Sequence, residues 1–303
     1  MATLSTGGLG VTIPNQVFAP WLEKVRYGSA VASLVPSAPM VYGPGQAMSY
    51  EIGEAEYVGE GANKAGSTIT SSTFTIAPFK FQKTVRWTEE VLYADEDHQL
   101  GVLTQVLDRI QPALSRALDF GIFHGVNPAT GAAVAAMTQR VVNTTNSVEI
   151  AAADPVYRAL QDADNLVLAD GYIPRQVALD PVWAAAFRSA RTPDTAGAML
   201  RYPDFVLGTG LTTLEGHQAV ISDTVGAAGV ITPATNVRGF VGDFRAIQWG
   251  VQRNIALEMI RYGDPDGGGD LKRNNQIAFR AEVIYGWGIS DLNAFAKVLD
   301  AVA

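Results

Sequence analysis

The chain has 303 residues, 48% of them hydrophobic and 17% charged, which is enough for one large domain or two smaller ones with real cores. Its net charge is −8 and its basic residues form no run, which disfavours nucleic-acid binding through a clustered positive face. Without cysteine it has no disulfides, thiolate metal sites or cysteine nucleophiles. Neither a signal peptide nor an apolar run of membrane-spanning length is present.

The first 45 residues carry five prolines and six glycines, a density that interrupts regular helices and strands. A short helix is predicted after Pro14, where Trp21 and other apolar residues recur at helical spacing. The rest of the segment predicts an extended arm. Its apolar side chains need the body of the same subunit or of a neighbour to be buried.

Residues 46–80 predict a long two-stranded excursion with a flexible, glycine-rich tip. Side chains alternate with period two around Tyr50 and again around Ile76, and the segment between them is rich in glycine, serine and threonine. Because an isolated ribbon is only marginally stable in water, this length predicts a partner surface outside the monomer.

The pattern changes after Thr88, and from Asp97 apolar residues follow helical spacing. They predict a long amphipathic helix that ends near Gly125. Pro112 lies inside it and cannot donate the helical hydrogen bond to the carbonyl of Asp108, so a kink is predicted there.

The remaining chain predicts a compact α/β unit over 154–240, followed mainly by strands. Two helices are predicted to begin at the N-caps Asp154 and Asp180, each followed by proline, and Gly171 ends the first. The predicted strands are 176–179, 219–222, 246–252, 255–261 and 276–287, with a turn over 264–270.

The order of these elements resembles the major capsid proteins of tailed bacteriophages, which have the Hong Kong 97-type fold. Seven local motifs carry the resemblance in chain order: Tyr57-Val-Gly-Glu-Gly-Ala-Asn-Lys64, Thr88-Glu-Glu-Val-Leu92, Ala117-Leu-Asp-Phe-Gly-Ile-Phe-His-Gly125, Leu214-Glu-Gly-His-Gln-Ala-Val-Ile-Ser222, Val241-Gly-Asp-Phe244, Arg280-Ala-Glu-Val-Ile-Tyr-Gly286 and Asn293-Ala-Phe295. Each motif alone is weak, but seven in the right order and spacing are together strong.

The resemblance implies an α+β fold built from an N-terminal arm, an E-loop, a P-domain with a long spine helix and an antiparallel sheet, and an α/β A-domain. The implied ranges are 1–45 for the arm, 46–80 for the E-loop, 81–150 and 240–303 for the P-domain, and 150–240 for the A-domain. It further implies that the E-loop lies across an adjacent subunit. Such subunits form the pentamers and hexamers of an icosahedral head that encloses double-stranded DNA.

The resemblance also implies the partners of the chain. These are other copies of itself, a portal protein and, in some members, decoration proteins, within a virion assembled in the host cytoplasm. Some members carry a scaffolding segment before the arm; because this sequence starts at Met1, we expect a separate scaffold protein or none. No membrane, cofactor, metal or sequence-specific DNA contact is expected.

The candidate contact residues between subunits are the arm anchors, the E-loop tip, the charged entry to the spine helix and two later arginines expected to pair with carboxylates: Trp21, Tyr27, Glu60, Lys64, Arg86, Glu89, Glu90, Arg261 and Arg280. A few family members cross-link an E-loop lysine to a P-domain asparagine. Here Lys64 is suitably placed, with Asn274, Asn275 or Asn293 as possible acceptors. An exposed lysine that contacts carboxylates of the next subunit is the simpler interpretation.

Catalytic and metal chemistry find little support. There is no Gly-x-Ser-x-Gly elbow, and the three histidines, His98, His124 and His217, are far apart in sequence. His124 is predicted to be a favourable cation at a helix C-terminus. The turn over 264–270 superficially resembles a calcium loop, but Asn275 stands where the pattern needs Glu, so a plain hairpin turn is predicted.

Two alternatives to a phage capsid protein stay open at this point. One is an encapsulin-like shell that holds cargo enzymes, which would have the same fold. The other is an α/β enzyme with its site in 154–240, for which the sequence offers no convergent set of polar residues.

Overall fold

The computed structural model describes residues 28–90 except 65 and 67, position 108, and residues 110–151, 154–192, 199–208 and 210–301. Several predictions fall outside these residues: the helix after Pro14, the anchors Trp21 and Tyr27, and the first half of the long helix with His98. Among the described helices, none has the length and apolarity needed to cross a membrane.

The described helices are α1 (Ala30–Leu34), α2 (110–119, continued by the π-helical turn Phe120–His124), α3 (Val156–Ala169), α4 (Pro181–Ser189) and α5 (Asp223–Gly226). The strands are β1 (Gly45–Ile52), β2 (Ile69–Thr88), β3 (Ser147–Ile150), β4 (Gln176–Leu179), β5 (Thr212–Leu214), β6 (His217–Ile221), β7 (Val237–Gly242), β8 (Ile247–Ile260), β9 (Gln276–Ile289) and β10 (Phe295–Asp300).

The first sheet is antiparallel, with the strand order β1-β2-β9-β8. Strand β2 is 20 residues long, and its two halves have different partners. The half up to Ile76 pairs with β1, and the half from Ala77 pairs with β9. The predicted two-stranded excursion is therefore confirmed as a hairpin in which Gly45–Ile52 pairs with Ile69–Ile76, whereas the residues from Ala77 onward pair with β9.

Strands β8 and β9 form a single hairpin. The sequence predicted two strands over 246–252 and 255–261, but β8 is one strand with register shifts at Val251/Arg253 and at Ile255/Glu258. Such irregularities disturb the period-two pattern without ending the pairing, which explains why the sequence suggested a break.

The second sheet has six strands in the order β3-β10-β7-β4-β6-β5. Strand β4, predicted over 176–179, is buried along its whole length and pairs in parallel with β6. Strand β10 lies between β3 and β7, so the C-terminal residues return to the sheet formed by 147–242. The second sheet therefore combines strands from before and after residue 240, the boundary expected between the A-domain and the last part of the P-domain.

The two predicted N-caps have different outcomes. Asp180 caps α4 as predicted, because its carboxylate accepts a hydrogen bond from the amide of Val182 at 2.9 Å. The prediction for Asp154 was wrong: Pro155 is the N-cap residue of α3 and no side chain caps it. Since the helix begins at Val156, Asp154 lies one residue too early to reach the free amides of the first turn.

The end of α2 packs between the two sheets. The helix ends as predicted at Gly125, whose φ of 67° closes it in the left-handed conformation. Inside its π-helical turn, a β-carbon on Gly121 would lie 2.6 Å from the indole ring of Trp287. The glycine is therefore required by the close approach of β9. The neighbouring Phe123 stacks on Phe240 of β7 with ring centroids 4.9 Å apart.

Candidate assembly surfaces

The β1–β2 hairpin carries an uncovered apolar face. Met48, Tyr50 and Ile52 alternate along β1, and Ile52 is paired with Ile69 of β2, so all four side chains lie on the same side of the ribbon. Their exposed fractions are 58%, 63%, 70% and 63%. This is a continuous apolar stripe that nothing in the described part of the subunit covers.

The tip of this hairpin, residues 53–68, is acidic. Glu54, Glu56 and Glu60 are exposed there together with a single lysine, Lys64. Tyr57 lies among them and is 92% exposed. The predicted tip residues Glu60 and Lys64 are thus accessible, although no contact between subunits has been observed for either of them.

A groove of about 610 Å³ lies between β2, α2 and the loop that follows α2. Its lining combines apolar side chains with basic ones: Phe79, Phe81, Leu114, Phe120, Met137, Lys80, Lys83 and Arg116. Lys80 pairs with Glu282 at 2.7 Å and Arg116 contacts Asp223, whereas Lys83 is exposed. The groove offers an apolar floor and a basic rim.

Arg86 binds the turn over 264–270 of its own chain. Its guanidinium donates to Asp266 at 2.6 Å, to Asp264 at 2.7 Å and to the carbonyl of Gly269 at 2.8 Å. The hydrogen bond from Arg86 lowers the pKa of Asp266. The carboxylates that gave this turn its likeness to a calcium loop therefore surround a guanidinium group. In the described part of the chain, no cluster of three acidic, histidine or cysteine side chains could hold a metal.

Two more of the predicted contact residues bind the connection between β8 and β9, residues 261–275. Glu89 accepts from the ammonium of Lys272 at 3.0 Å, and its amide donates to the carbonyl of Asn275 at 2.9 Å. Arg280 was expected to pair with carboxylates, but it donates to the hydroxyl of Thr84 and to the carbonyl of Pro265. Thr84 lies directly opposite Arg280 in the β2–β9 pairing, as Glu258 does in the β8–β9 pairing.

The other two predicted contact residues, Glu90 and Arg261, are exposed. As contact residues between subunits, they stay predictions. Of the predicted charged contact residues, three bind groups of their own chain: Arg86, Glu89 and Arg280. The others are exposed: Glu60, Lys64, Glu90 and Arg261.

A buried carboxylate that the sequence analysis missed connects three parts of the fold. Asp119 of α2 accepts hydrogen bonds from the hydroxyl of Ser29 at 2.6 Å and from the amides of Ala30 and Val31 at 2.7 and 3.1 Å. It also accepts from the hydroxyl of Thr224 in α5 at 2.6 Å. Burial raises the pKa of Asp119, and these hydrogen bonds oppose that effect.

Asp119 thus fixes the point at which the arm joins the body. One sequence signal could have identified it, since it is a lone acidic residue in the apolar stretch Ala117-Leu-Asp-Phe-Gly.

The prediction for His124 was wrong. The ring is 4% exposed, and its Nε2 lies 2.9 Å from the carbonyl of Val225. Burial lowers the pKa of His124 to about 4, so the side chain is neutral near pH 7. The cost of burying a charge beside Phe123 and Phe240 exceeds the gain from the helix terminus.

The family model of the phage capsid family matches residues 9–299. A comparison with curated protein sequences gives no match. Among solved structures, one from Mycobacterium phage Ogopogo is 38% identical with a TM-score of 0.81, and the alignment covers 99% of this chain and 100% of that chain. One from Gordonia phage Cozz is 27% identical with a TM-score of 0.79, covering 98% and 94%.

A more distant structure, the capsid of a native GTA particle, is 16% identical with a TM-score of 0.62 over 98% of both chains, and this likeness concerns the fold alone. The α+β architecture agrees with these neighbours and with the Hong Kong 97-type fold expected from the motifs. A family match over nearly the whole length, together with a solved relative of 38% identity, shows that the chain belongs to the phage capsid family and is a structural protein of the capsid shell.

Proposed function

We propose that copies of this chain form pentamers and hexamers, and through them a closed icosahedral shell around double-stranded DNA. The uncovered apolar face of the β1–β2 hairpin carries the proposal. A projecting ribbon is only marginally stable by itself, and a contiguous apolar surface in a soluble protein marks a place where another protein binds. In a shell, the adjacent copy supplies that cover.

The charges of the hairpin tip and of the groove support a particular arrangement of neighbours. The tip presents Glu54, Glu56 and Glu60 around the exposed Tyr57, and the groove presents an apolar floor with Lys83 at its rim. Opposite charges steer association and select the register of two surfaces, and an aromatic side chain fills an apolar pocket well. The tip of one copy is therefore proposed to dock in the groove of the next.

The mechanism of such a protein is assembly, and the chain is proposed to have no catalytic role. Each contact between subunits is modest, but every subunit makes several contacts, so the closed shell is far more stable than any one contact. Neither the encapsulin-like compartment nor the α/β enzyme is favoured by an observation on this chain. A portal protein, a separate scaffold, decoration proteins and assembly in the host cytoplasm stay predictions of the family resemblance.

Electron microscopy of the purified protein tests the proposal. Closed shells, or rings of five and six subunits, are expected when the chain is expressed alone or together with the other head proteins of its phage. A uniform monomer or dimer under both conditions would contradict it.

Charge reversal tests the proposed docking of the tip. We expect fewer shells from a tip variant with Glu54→Lys, Glu56→Lys and Glu60→Lys, and from a groove variant with Gln82→Glu and Lys83→Glu. Combining the two sets restores opposite charges and should recover assembly. Arg188→Glu, on the exposed side of α4, is the control. If the combined variant yields no more shells than either set of changes alone, the groove does not bind the tip. Shell formation by the wild type would then still support assembly, but through other contacts.

A further inference from the structure

The β5–β6 hairpin at the edge of the second sheet is held by more than its own pairing. Strand β5 has three residues and is the last strand of the sheet. The two turn residues, Glu215 and Gly216, have φ values of 48° and 89°, both in the left-handed region. Glycine adopts this conformation freely, but a glutamate does so only at a cost, so other contacts must stabilise the turn.

Two sets of contacts attach this hairpin to the helix α3. In the first, Glu215 accepts from the guanidinium of Arg201 at 3.3 Å and from the hydroxyl of Tyr202. Arg201 also stacks on the ring of Tyr157 in α3, 3.6 Å from its centroid. In the second, His217 lies 3.0 Å from Asp164 of the same helix.

Both ring nitrogens of His217 face oxygen acceptors. Nδ1 lies 3.2 Å from the carbonyl of Leu214, and Nε2 lies 3.0 Å from Oδ1 of Asp164. This carboxylate oxygen is buried and has no aligned hydrogen bond in the described part of the chain, so its 3.0 Å contact with Nε2 is an ion pair when the ring is protonated. A neutral imidazole carries a single N–H, whereas an imidazolium carries one on each nitrogen and places a positive charge beside this carboxylate.

We propose that His217 and Asp164 form a proton-dependent latch, which holds the β5–β6 hairpin on α3 while the imidazole is protonated and loosens when the proton is lost. The charged groups around the ring suit this role. Asp164 faces it from α3 and Glu215 from the turn, with Arg201 beyond Glu215, while the neighbouring strand β4 contributes no charged residue. This inference is independent of how copies of the chain assemble.

The direction of the pH dependence follows from the pKa. Burial alone would lower the pKa of His217, but the hydrogen bond and the charge of Asp164 outweigh burial and raise it. For a histidine whose folded pKa is raised, the added stability is complete below the ordinary value of about 6.5 and is lost as the pH rises through the raised value. The latch therefore weakens on the alkaline side.

Hydrogen–deuterium exchange of the full chain, followed over residues 212–221 between about pH 5 and pH 9, tests the latch. The key variant is Asp164→Asn, because its amide can donate to the unprotonated Nε2 of a neutral ring. We expect the protection of the wild type, relative to this variant at the same pH, to fall on the order of tenfold as the pH rises. A ratio that stays constant over the range would overturn the proposal.

Two further variants separate the latch from a general effect of charge. His217→Gln cannot be protonated, so the wild type should exceed it in protection at low pH and approach it at high pH. Asp162→Asn removes the same charge from the exposed side of α3, where the carboxylate faces Arg158, and should leave the pH dependence of the wild type unchanged. If Asp162→Asn also removes the dependence, the charge of α3 as a whole is responsible and the proposed pair is not.

Discussion

At the scale of the residue, the charge and the hydrogen bonds of a buried polar side chain do not follow from its neighbours in sequence. Asp119 and His124 are five positions apart on one helical segment, and both are buried. Asp119 receives hydrogen bonds from four donors, whereas His124 is kept neutral by its surroundings. The protein around each side chain therefore sets its charge, and the type of residue alone does not.

Replacing Asp119 with alanine should lower the free energy of unfolding by roughly 3–5 kcal/mol, because it leaves several buried donors without an acceptor. Denaturant unfolding of the purified subunit or capsomer measures the change. Asp154→Ala removes an exposed aspartate without a capping role and should change stability by less than about 0.5 kcal/mol. Equal losses for the two variants would show that the buried contacts contribute little.

Gly121→Ala tests the close packing of α2 against β9. The added methyl group would meet the buried indole of Trp287 at 2.6 Å, so either the helix or the indole must move. We expect a loss of about 1–3 kcal/mol in the free energy of unfolding, typical of overpacking in a full core. The matched change Gly53→Ala has open space around it and should be nearly neutral; a neutral Gly121→Ala would mean that the interface is loosely packed.

At the scale of the element, the turn over 264–270 is ordered by contacts from strand β2. Its glycines permit many conformations, and Arg86 selects one of them by binding Asp264, Asp266 and the carbonyl of Gly269. Leu271, fully buried, anchors the end of the turn. A glycine-rich connection thus obtains its shape from a residue about 180 positions earlier.

Arg86→Ala should release this turn while leaving β8 and β9 paired. Amide exchange over residues 263–270 should increase on the order of tenfold, and exchange in the middle of β9 should stay unchanged. Arg273→Ala removes the same charge from an exposed position beside the turn and is the control. Unaltered exchange in Arg86→Ala would assign the order of the turn to its own backbone.

At the scale of the whole molecule, the subunit carries exposed apolar surface, which we propose that neighbouring copies cover in the capsid shell. The hairpin face formed by Met48, Tyr50, Ile52 and Ile69 is such a surface. Because these side chains are exposed in the subunit, replacing them costs little folding energy while removing apolar contact area between copies.

The triple change Met48→Ser, Tyr50→Ser and Ile52→Ser should therefore leave a folded subunit that forms few or no shells. Circular dichroism checks the fold, and electron microscopy with size-exclusion chromatography checks assembly. A matched triple change in three similarly exposed residues elsewhere, Leu168→Ser, Ile173→Ser and Val182→Ser, is the control. Normal shells from the hairpin variant would remove this face from the assembly surfaces.

The sequence by itself determined several of the elements in their order along the described chain, but not the strands β3, β5, β7 and β10. The period-two pattern around Tyr50 predicted the hairpin, the Asp180-Pro181 pair predicted the start of α4, and Gly125 marked the end of α2. These features depend on residues close together in the chain, where side-chain alternation, capping and left-handed glycine follow from local physics. Motif order over the whole chain also predicted the family, which the family match confirms.

Only the tertiary structure showed which of the predicted contact residues have partners within their own subunit. Arg86 and Glu89 bind the β8–β9 connection about 180 positions away, and Arg280 binds Thr84 on the opposite strand. The same holds for Asp119, whose donors come from α1 and α5. Hydrogen bonds and burial depend on distances in space, and residues far apart in sequence carry no local pattern that encodes those distances.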